Sequence, residues 1–178
     1  IRSCLVGSEM CIRDSVRPWL GATGQTIDPD LAREFELKRP AGVIINKVYP
    51  ESSAVEAGLK PGDIVLSIDE KPIDDRDILR YRIATLPLGK TFSMRVIRNG
   101  RPKTLRVVAK APPTLPKSNA YKVPGRNPFN GAIVANLSPA FALDNGLDDM
   151  KRGVVVVSSG GGSVAERLGL KKGDIVLT

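Results

Sequence analysis

Few residues in this 178-residue chain could carry chemistry. Histidine is absent. That excludes a Ser-His-Asp or Cys-His centre within the sequence, and any zinc site that needs imidazole. Two cysteines, Cys4 and Cys11, are too few for a zinc site and do not suggest a disulfide framework. Ser158-Ser159-Gly160-Gly161-Gly162-Ser163 has the look of a phosphate loop or a nucleophile turn. It lacks the lysine of a phosphate loop, and no imidazole is available to activate a serine. The acidic groups Asp28/Asp30, Asp74/Asp75/Asp77 and Asp148/Asp149 fall at turns or helix starts. There an acid caps a helix and opposes its dipole, so capping is the expected role rather than metal binding or acid–base work. No catalytic residue, cofactor or metal is expected.

The charge balance points the same way. There are 27 basic and 19 acidic residues, a net charge of +8. A basic chain invites a nucleic-acid reading. Lysine and arginine are scattered, however, and no block of five or six like charges occurs. Aromatic residues make up only 4%, a poor supply for base stacking. A hydrophobic fraction of 42% and a mean hydropathy of -0.09 are those of a globular protein. No apolar run reaches the roughly 18 residues of a membrane helix. No nucleic-acid partner and no membrane span are expected.

The elements are organised by a repeat. GLKPGDIVLS at 58–67 returns as GLKKGDIVLT at 169–178, an offset of 111 residues. Ser52/Ser163 and Gly42/Gly153 share that offset, and Pro29/Pro139 and Gly21/Gly131 match at 110. Two units of one fold are therefore expected. Residues 1–15 are unlike the rest and read as a non-native or disordered tail. Residues 16–111 form the first unit. Residues 112–128 form a proline-rich, semi-extended linker. Residues 129–178 form the N-terminal part of a second, truncated copy, because the sequence stops at GDIVLT, on what reads as an unfinished strand. Its sheet is expected to lack strands and to be loosely ordered.

Within the first unit, a strand starts between Trp19 and Ile27. Asp28 caps and Pro29 opens a helix near Asp30–Leu37. Gly42–Val48 is a buried strand. Ser52 caps a short helix over Ala54–Ala57, ended by Gly58. Asp63–Ile68 alternates Ile64, Leu66 and Ile68 against Val65 and Ser67 and reads as a strand. Asp74 or Asp75 caps a helix to about Leu86, with Leu79, Ile83 and Leu86 on its apolar face. Phe92–Ile97 and Thr104–Val108 form a hairpin about Asn99-Gly100. The predicted class is α+β, a small, partly open β-barrel or sandwich with two to three helices.

The pieces RPWLGATGQTIDPDLAREFEL, YPESSAVEAGLKPGDIVLSIDEKPI and IATLPLGKTFSMRVIRNG resemble the first PDZ domain of the HtrA/Deg (Do-like) serine proteases. NGAIVANLSPAFALDNGL and SVAERLGLKKGDIVLT resemble the start of that family's second PDZ domain. The resemblance covers about 16–178. It implies a peptide-binding, regulatory and substrate-recognition arm of a periplasmic serine endopeptidase for misfolded proteins. The parent would be built from trimers through a protease domain that this sequence does not include, and the fragment itself would be monomeric and inactive. A PDZ region of another protease class, or a non-enzymatic PDZ scaffold, is the alternative.

A PDZ groove takes an extended peptide between a strand edge and a helix. A tight glycine-containing loop binds the terminal carboxylate through its N–H groups. The resemblance assigns that loop to Trp19, Leu20, Gly21 and Ala22, and the pairing edge to Ala22, Thr23 and Gly24. Leu79, Arg82, Ile83 and Leu86 would present the facing helix, although Leu79 and Ile83 could equally be core. Arg17 would add a charge-assisted contact to the carboxylate. Trp19 would pack against the absent protease neighbour.

Overall fold

Each predicted helix start is a local hydrogen-bonding solution that the chain adopts. The computed structural model describes residues 16–177 apart from positions 36 and 38, so the expected tail at 1–15 lies outside the described residues. Strand β1 (Ala22–Thr26) leads to Asp28, whose carboxylate accepts from the N–H groups of Asp30 and Leu31 and opens α1 (Pro29–Glu34). Strand β2 (Val43–Val48) leads to Ser52, whose hydroxyl accepts from Val55 N–H and caps α2 (Ser53–Glu56). After β3 (Ile64–Ile68) and the short β4 (Lys71–Pro72), Asp75 caps α3 (Arg76–Ala84). Each cap satisfies an orphan helix donor, worth about 1 kcal/mol. Helix α3 stops short of the expected Leu86, and the Thr85 hydroxyl donates to the carbonyls of Tyr81 and Arg82 in its last turn.

Strands β5 (Thr91–Arg98) and β6 (Arg101–Val108) form the hairpin. Asn99 and Gly100 both have positive φ (50° and 72°), as a two-residue primed turn demands. The sheet runs β1-β2-β3-β5-β6, with β4 paired to β3. It is open, with β1 at one edge. One face packs Leu20, Val43, Ile45, Val65, Leu79, Ile83, Phe92, Met94 and Leu105 into the main core. The other face carries Ile27, Ala32 and Ile64, with Phe35 and Ile97 against them. Because α1 covers that second face, Ile64 and Val65 are both buried, and the expected strand β3 is covered on both sides.

Among the described residues, one ion pair is internal. The Arg98 guanidinium meets the buried Asp63 carboxylate in two bonds of 2.6 Å and donates to Gly58 O. Lys60 N–H also donates to Asp63. The paired carboxylate raises the affinity of Arg98 for its proton, chiefly through the side-chain hydrogen bond.

A second sheet follows, with strands β7 (Tyr121–Lys122), β8 (Ala132–Asn136), β9 (Gly153–Ser159) and β10 (Ile175–Leu177) in the order β10-β9-β8-β7. Helix α4 (Pro139–Asp144) is capped by Ser138, and α5 (Val164–Arg167) by Ser163. The serine–glycine run is thus a strand-to-helix connection: Ser163 accepts from Glu166 N–H, and Glu166 accepts from Gly162 N–H. The proline-rich stretch is not structureless throughout, because Tyr121 and Lys122 pair with Val134 and Ile133. Among the described residues, no helix is long and apolar enough to cross a membrane, and no His/Cys/Asp/Glu group is placed to hold a metal.

Candidate functional site

The site is built around Gly21. Its φ is +72°, and a Cβ placed there would lie 2.2 Å from Ser52 Cβ and 3.0 Å from Trp19 Cζ3. Only glycine fits, on conformation and on space. The carbonyls of the loop face inward. Leu20 O accepts from Ala54 N–H at 3.0 Å, and Gly21 O accepts from Tyr49 N–H at 2.7 Å. Trp19 N–H donates to Lys110 O. Among the described residues, the N–H groups of Leu20 and Gly21 have no protein acceptor. Two successive amides without a protein acceptor at a positive-φ turn are an arrangement able to hold an anion.

Beyond the loop, β1 pairs with β2 on one side only, from Ala22↔Val48 to Thr26↔Val43. The ladder is irregular between Thr23 and Gly24. Gly24 is dictated by close approach: a Cβ there would sit 2.3 Å from Ile44 O. The free edge of β1 adjoins α3, and Arg76 N–H donates to Thr26 Oγ1 at 3.2 Å. An unpaired strand edge beside a helix leaves room for one added strand.

The predicted residues separate into three groups. Leu20, Leu79 and Ile83 are brought together, but they are 5%, 5% and 6% exposed and belong to the main core. They are packed inside the core rather than reaching out of it. Ala22 and Leu86 are half-buried and pack against that core, and Ile78 does the same. Thr23 and Arg82 are half-buried, and Arg17 is exposed. Arg17 and Arg82 form no ion pair among the described residues. Nothing in the geometry directs Arg17 at the loop.

Sequence reasoning missed Ile78, Tyr49 and Ser52. Tyr49 holds Gly21 O and meets Trp19 edge-on, with ring centroids 5.4 Å apart. Ser52 lies directly beneath Gly21, and the repeat carried a signal for it. Gly131 bears the same relation to Ser163, 2.5 Å from the Cβ position to Ser163 Cβ. The expectation that acids only cap holds for Asp28 and Asp75 but fails for Asp149. Its carboxylate accepts instead from the Trp19 indole N–H, across 130 positions of chain. Trp19 therefore has a neighbour within this chain.

Comparison with known proteins agrees with this geometry. The sequence pattern of the PDZ domain family matches residues 19–108. A probable periplasmic serine endoprotease DegP-like protein of Marinomonas sp. (strain MWYL1) is 32% identical over 163 residues, covering 90% of this chain and 33% of its own length. Periplasmic serine endoprotease DegP of Escherichia coli (strain K12) is 31% identical over 158 residues, covering 89% and 30%. Among solved structures, a variant of the HtrA-type protease AlgW with a decapeptide has a TM-score of 0.53 and 30% identity, over 58% of this chain and 31% of that one. The chain spans about a third of the length of these curated relatives. With a glycine loop that leaves two amides free at an open strand edge, and with these matches, the chain belongs to the PDZ domain family and corresponds to the PDZ region of the HtrA/Deg periplasmic serine endoproteases.

Proposed function

We propose that residues 16–111 bind the C-terminal or extended segment of a polypeptide by strand addition along β1. The terminal carboxylate would be held by the N–H groups of the Leu20–Gly21 turn. Ala22, Thr23 and Gly24 would supply the pairing edge. Ala22, Ile78 and Leu86 would contact the side chains of the ligand, above a floor of Leu20, Leu79 and Ile83. The observation that carries this reading is the pair of unpartnered amides at the start of a one-sided strand. The AlgW variant solved with a decapeptide supports the ligand class.

In this reading the chain is the substrate-recognition and regulatory arm of a serine endopeptidase that acts on misfolded proteins in the periplasm. It performs no hydrolysis, since the sequence holds no histidine to activate a serine. The protease domain of the parent and its trimer-based assembly lie outside it. Residues 112–128 serve as a linker and 129–178 as part of a second unit of the same fold.

The test is a titration of the 178-residue chain with a labelled peptide that ends in valine. A Kd on the order of 10–100 μM is expected for the free acid. Amidating the peptide terminus removes the anion and should weaken binding. Ala22→Pro removes an N–H from β1 and should weaken it further, provided circular dichroism shows the variant folded. Equal affinity for acid and amide, with no effect of Ala22→Pro, would remove Leu20–Gly24 as the site.

A further inference from the structure

The connection between α4 and β9 reaches from the second sheet to the first unit and touches it at two aromatic residues. Asp149 accepts from the Trp19 indole N–H, and the Arg152 guanidinium lies 4.8 Å from the centroid of the Tyr49 ring. Trp19 and Tyr49 are both nearly fully buried. They also brace Gly21 from two directions. Tyr49 N–H holds its carbonyl, and the Trp19 ring stands 3.0 Å from where a Cβ would project. The second unit thus makes these contacts on the side chains of two residues that adjoin the turn with free amides, Trp19 through its ring and Tyr49 through its backbone N–H.

We propose that Asp149 is a positioning residue for the ligand loop of the first unit, acting through Trp19. The proposal rests on the peptide-groove reading above. A buried indole N–H needs an acceptor, and an ionised one makes the stronger bond. Asp148 makes the local turn by accepting from Met150 N–H, which leaves Asp149 free to reach across. Arg152 adds a cation over the Tyr49 ring. The carboxylate and the guanidinium arrive together, so the connection brings no net charge from this pair to a loop that must accept an anion. Beside them a cleft of about 320 Å³, lined in part by Lys47, Pro50, Pro61 and Met150, leaves the two surfaces incompletely packed. The two contacts are therefore point attachments. Because binding linkage is reciprocal, a peptide in the groove also strengthens the hold of the second unit.

Trp19 is the single tryptophan of the chain, so the fluorescence comes from the surroundings of this one indole. The experiment compares the 178-residue chain with its Asp149→Ala, Asp149→Asn and Arg152→Ala variants, each checked by circular dichroism. Asp149→Ala should shift the Trp19 emission and speed amide exchange at Leu20–Ala22. It should also raise the Kd for the valine-terminated free-acid peptide fivefold or more. Asp149→Asn keeps an acceptor oxygen and should restore most of the affinity. Arg152→Ala should change the Kd by about twofold or less. Unchanged emission and exchange in Asp149→Ala would overturn the proposal. So would tighter binding by both Asp149 variants, which would make Asp149 a repelling charge. A wild-type chain that binds no peptide would sink the groove reading alone, since emission and exchange decide the role of Asp149 without a ligand.

Discussion

The two repeated regions make the same local bonds and reach different burial. In the first unit, Ile45 N–H donates to Asp63 O, Gly62 N–H to Ile45 O, and Lys60 N–H to the Asp63 carboxylate. In the second, Val156, Gly173 and Lys171 make the same three bonds to Asp174 O, Val156 O and the Asp174 carboxylate. Gly21 and Gly131 share a positive φ over Ser52 and Ser163. Yet Asp63 is buried and gripped by Arg98, whereas Asp174 is exposed. Among the described residues, the first unit gathers sixteen buried side chains into one large cluster and three into another, and the second divides seven between two small ones. The loop-and-cap motif is therefore encoded within its own few residues. Its burial comes from α3, β5 and β6, which have no counterpart among the described residues of the second unit.

The sharpest way to break this comparison is to remove the group that only one unit has. Arg98→Ala leaves the Asp63 carboxylate buried and unpaired, which should destabilise the first unit by about 3 kcal/mol. Asp174→Ala should cost less than about 0.5 kcal/mol, as exposed sites do. Urea unfolding followed by Trp19 fluorescence reads the first. Amide exchange in β9 and β10 reads the second. Similar losses would show that the two aspartates share an environment after all.

Adding a methyl to the shared glycine probes the part that is alike. Gly21→Ala should cost about 2 kcal/mol or more, from the positive φ and the collision with Ser52. Gly131→Ala meets Ser163 at a similar distance but in less buried surroundings, so a smaller loss is expected. A larger loss at Gly131 would reverse the ranking of the two units.

Amide exchange then measures the difference in cover directly. In a polypeptide of these 178 residues, 131–177 should exchange at least tenfold faster than 43–108, about 1.4 kcal/mol less protection. Uniform protection would mean that the second sheet is stabilised by something other than its own small clusters.

The smallest expected effect lies at Asp69, beyond the repeated stretch. Ser93 N–H donates to its carboxylate at 2.8 Å, and this bond, helped by the Ser93 hydroxyl and Lys90, holds its pKa below the ordinary carboxylate value. A depressed folded-state pKa contributes stability that is present above the unfolded value. That stability is lost as pH falls through the folded value, so the loss begins below about pH 4. The side chain is more than a third exposed, so solvent screening keeps the effect to a few tenths of a kcal/mol at most. Asp69→Asn should flatten the acid limb of a stability–pH curve for the first unit and leave that of the second unchanged.

What the sequence determined by itself is what a few adjacent residues can complete. Asp28-Pro29, Ser52 and Asp75 place helix starts because a side-chain oxygen reaches an N–H two or three residues on. Asn99-Gly100 sets a hairpin because both residues tolerate positive φ. The repeat matched Gly21 to Gly131 and Ser52 to Ser163, but that each glycine lies over its serine is seen only in the fold. Tertiary structure decided the rest. Alternation in β3 marked a strand, but only the return of α1 over its second face buries both. Leu79 and Ile83 fell on the predicted helix face, but only packing shows them in the main core, with Ala22, Ile78 and Leu86 packed against it. Tyr121 and Lys122 became a strand because β8 offered an edge. Asp63 found Arg98 after 35 residues, and Asp149 found Trp19 after 130. Such partners leave no mark in spacing, because a long chain segment can close over almost any loop at little extra entropic cost. The choice among them is made only when the sheets and helices have packed.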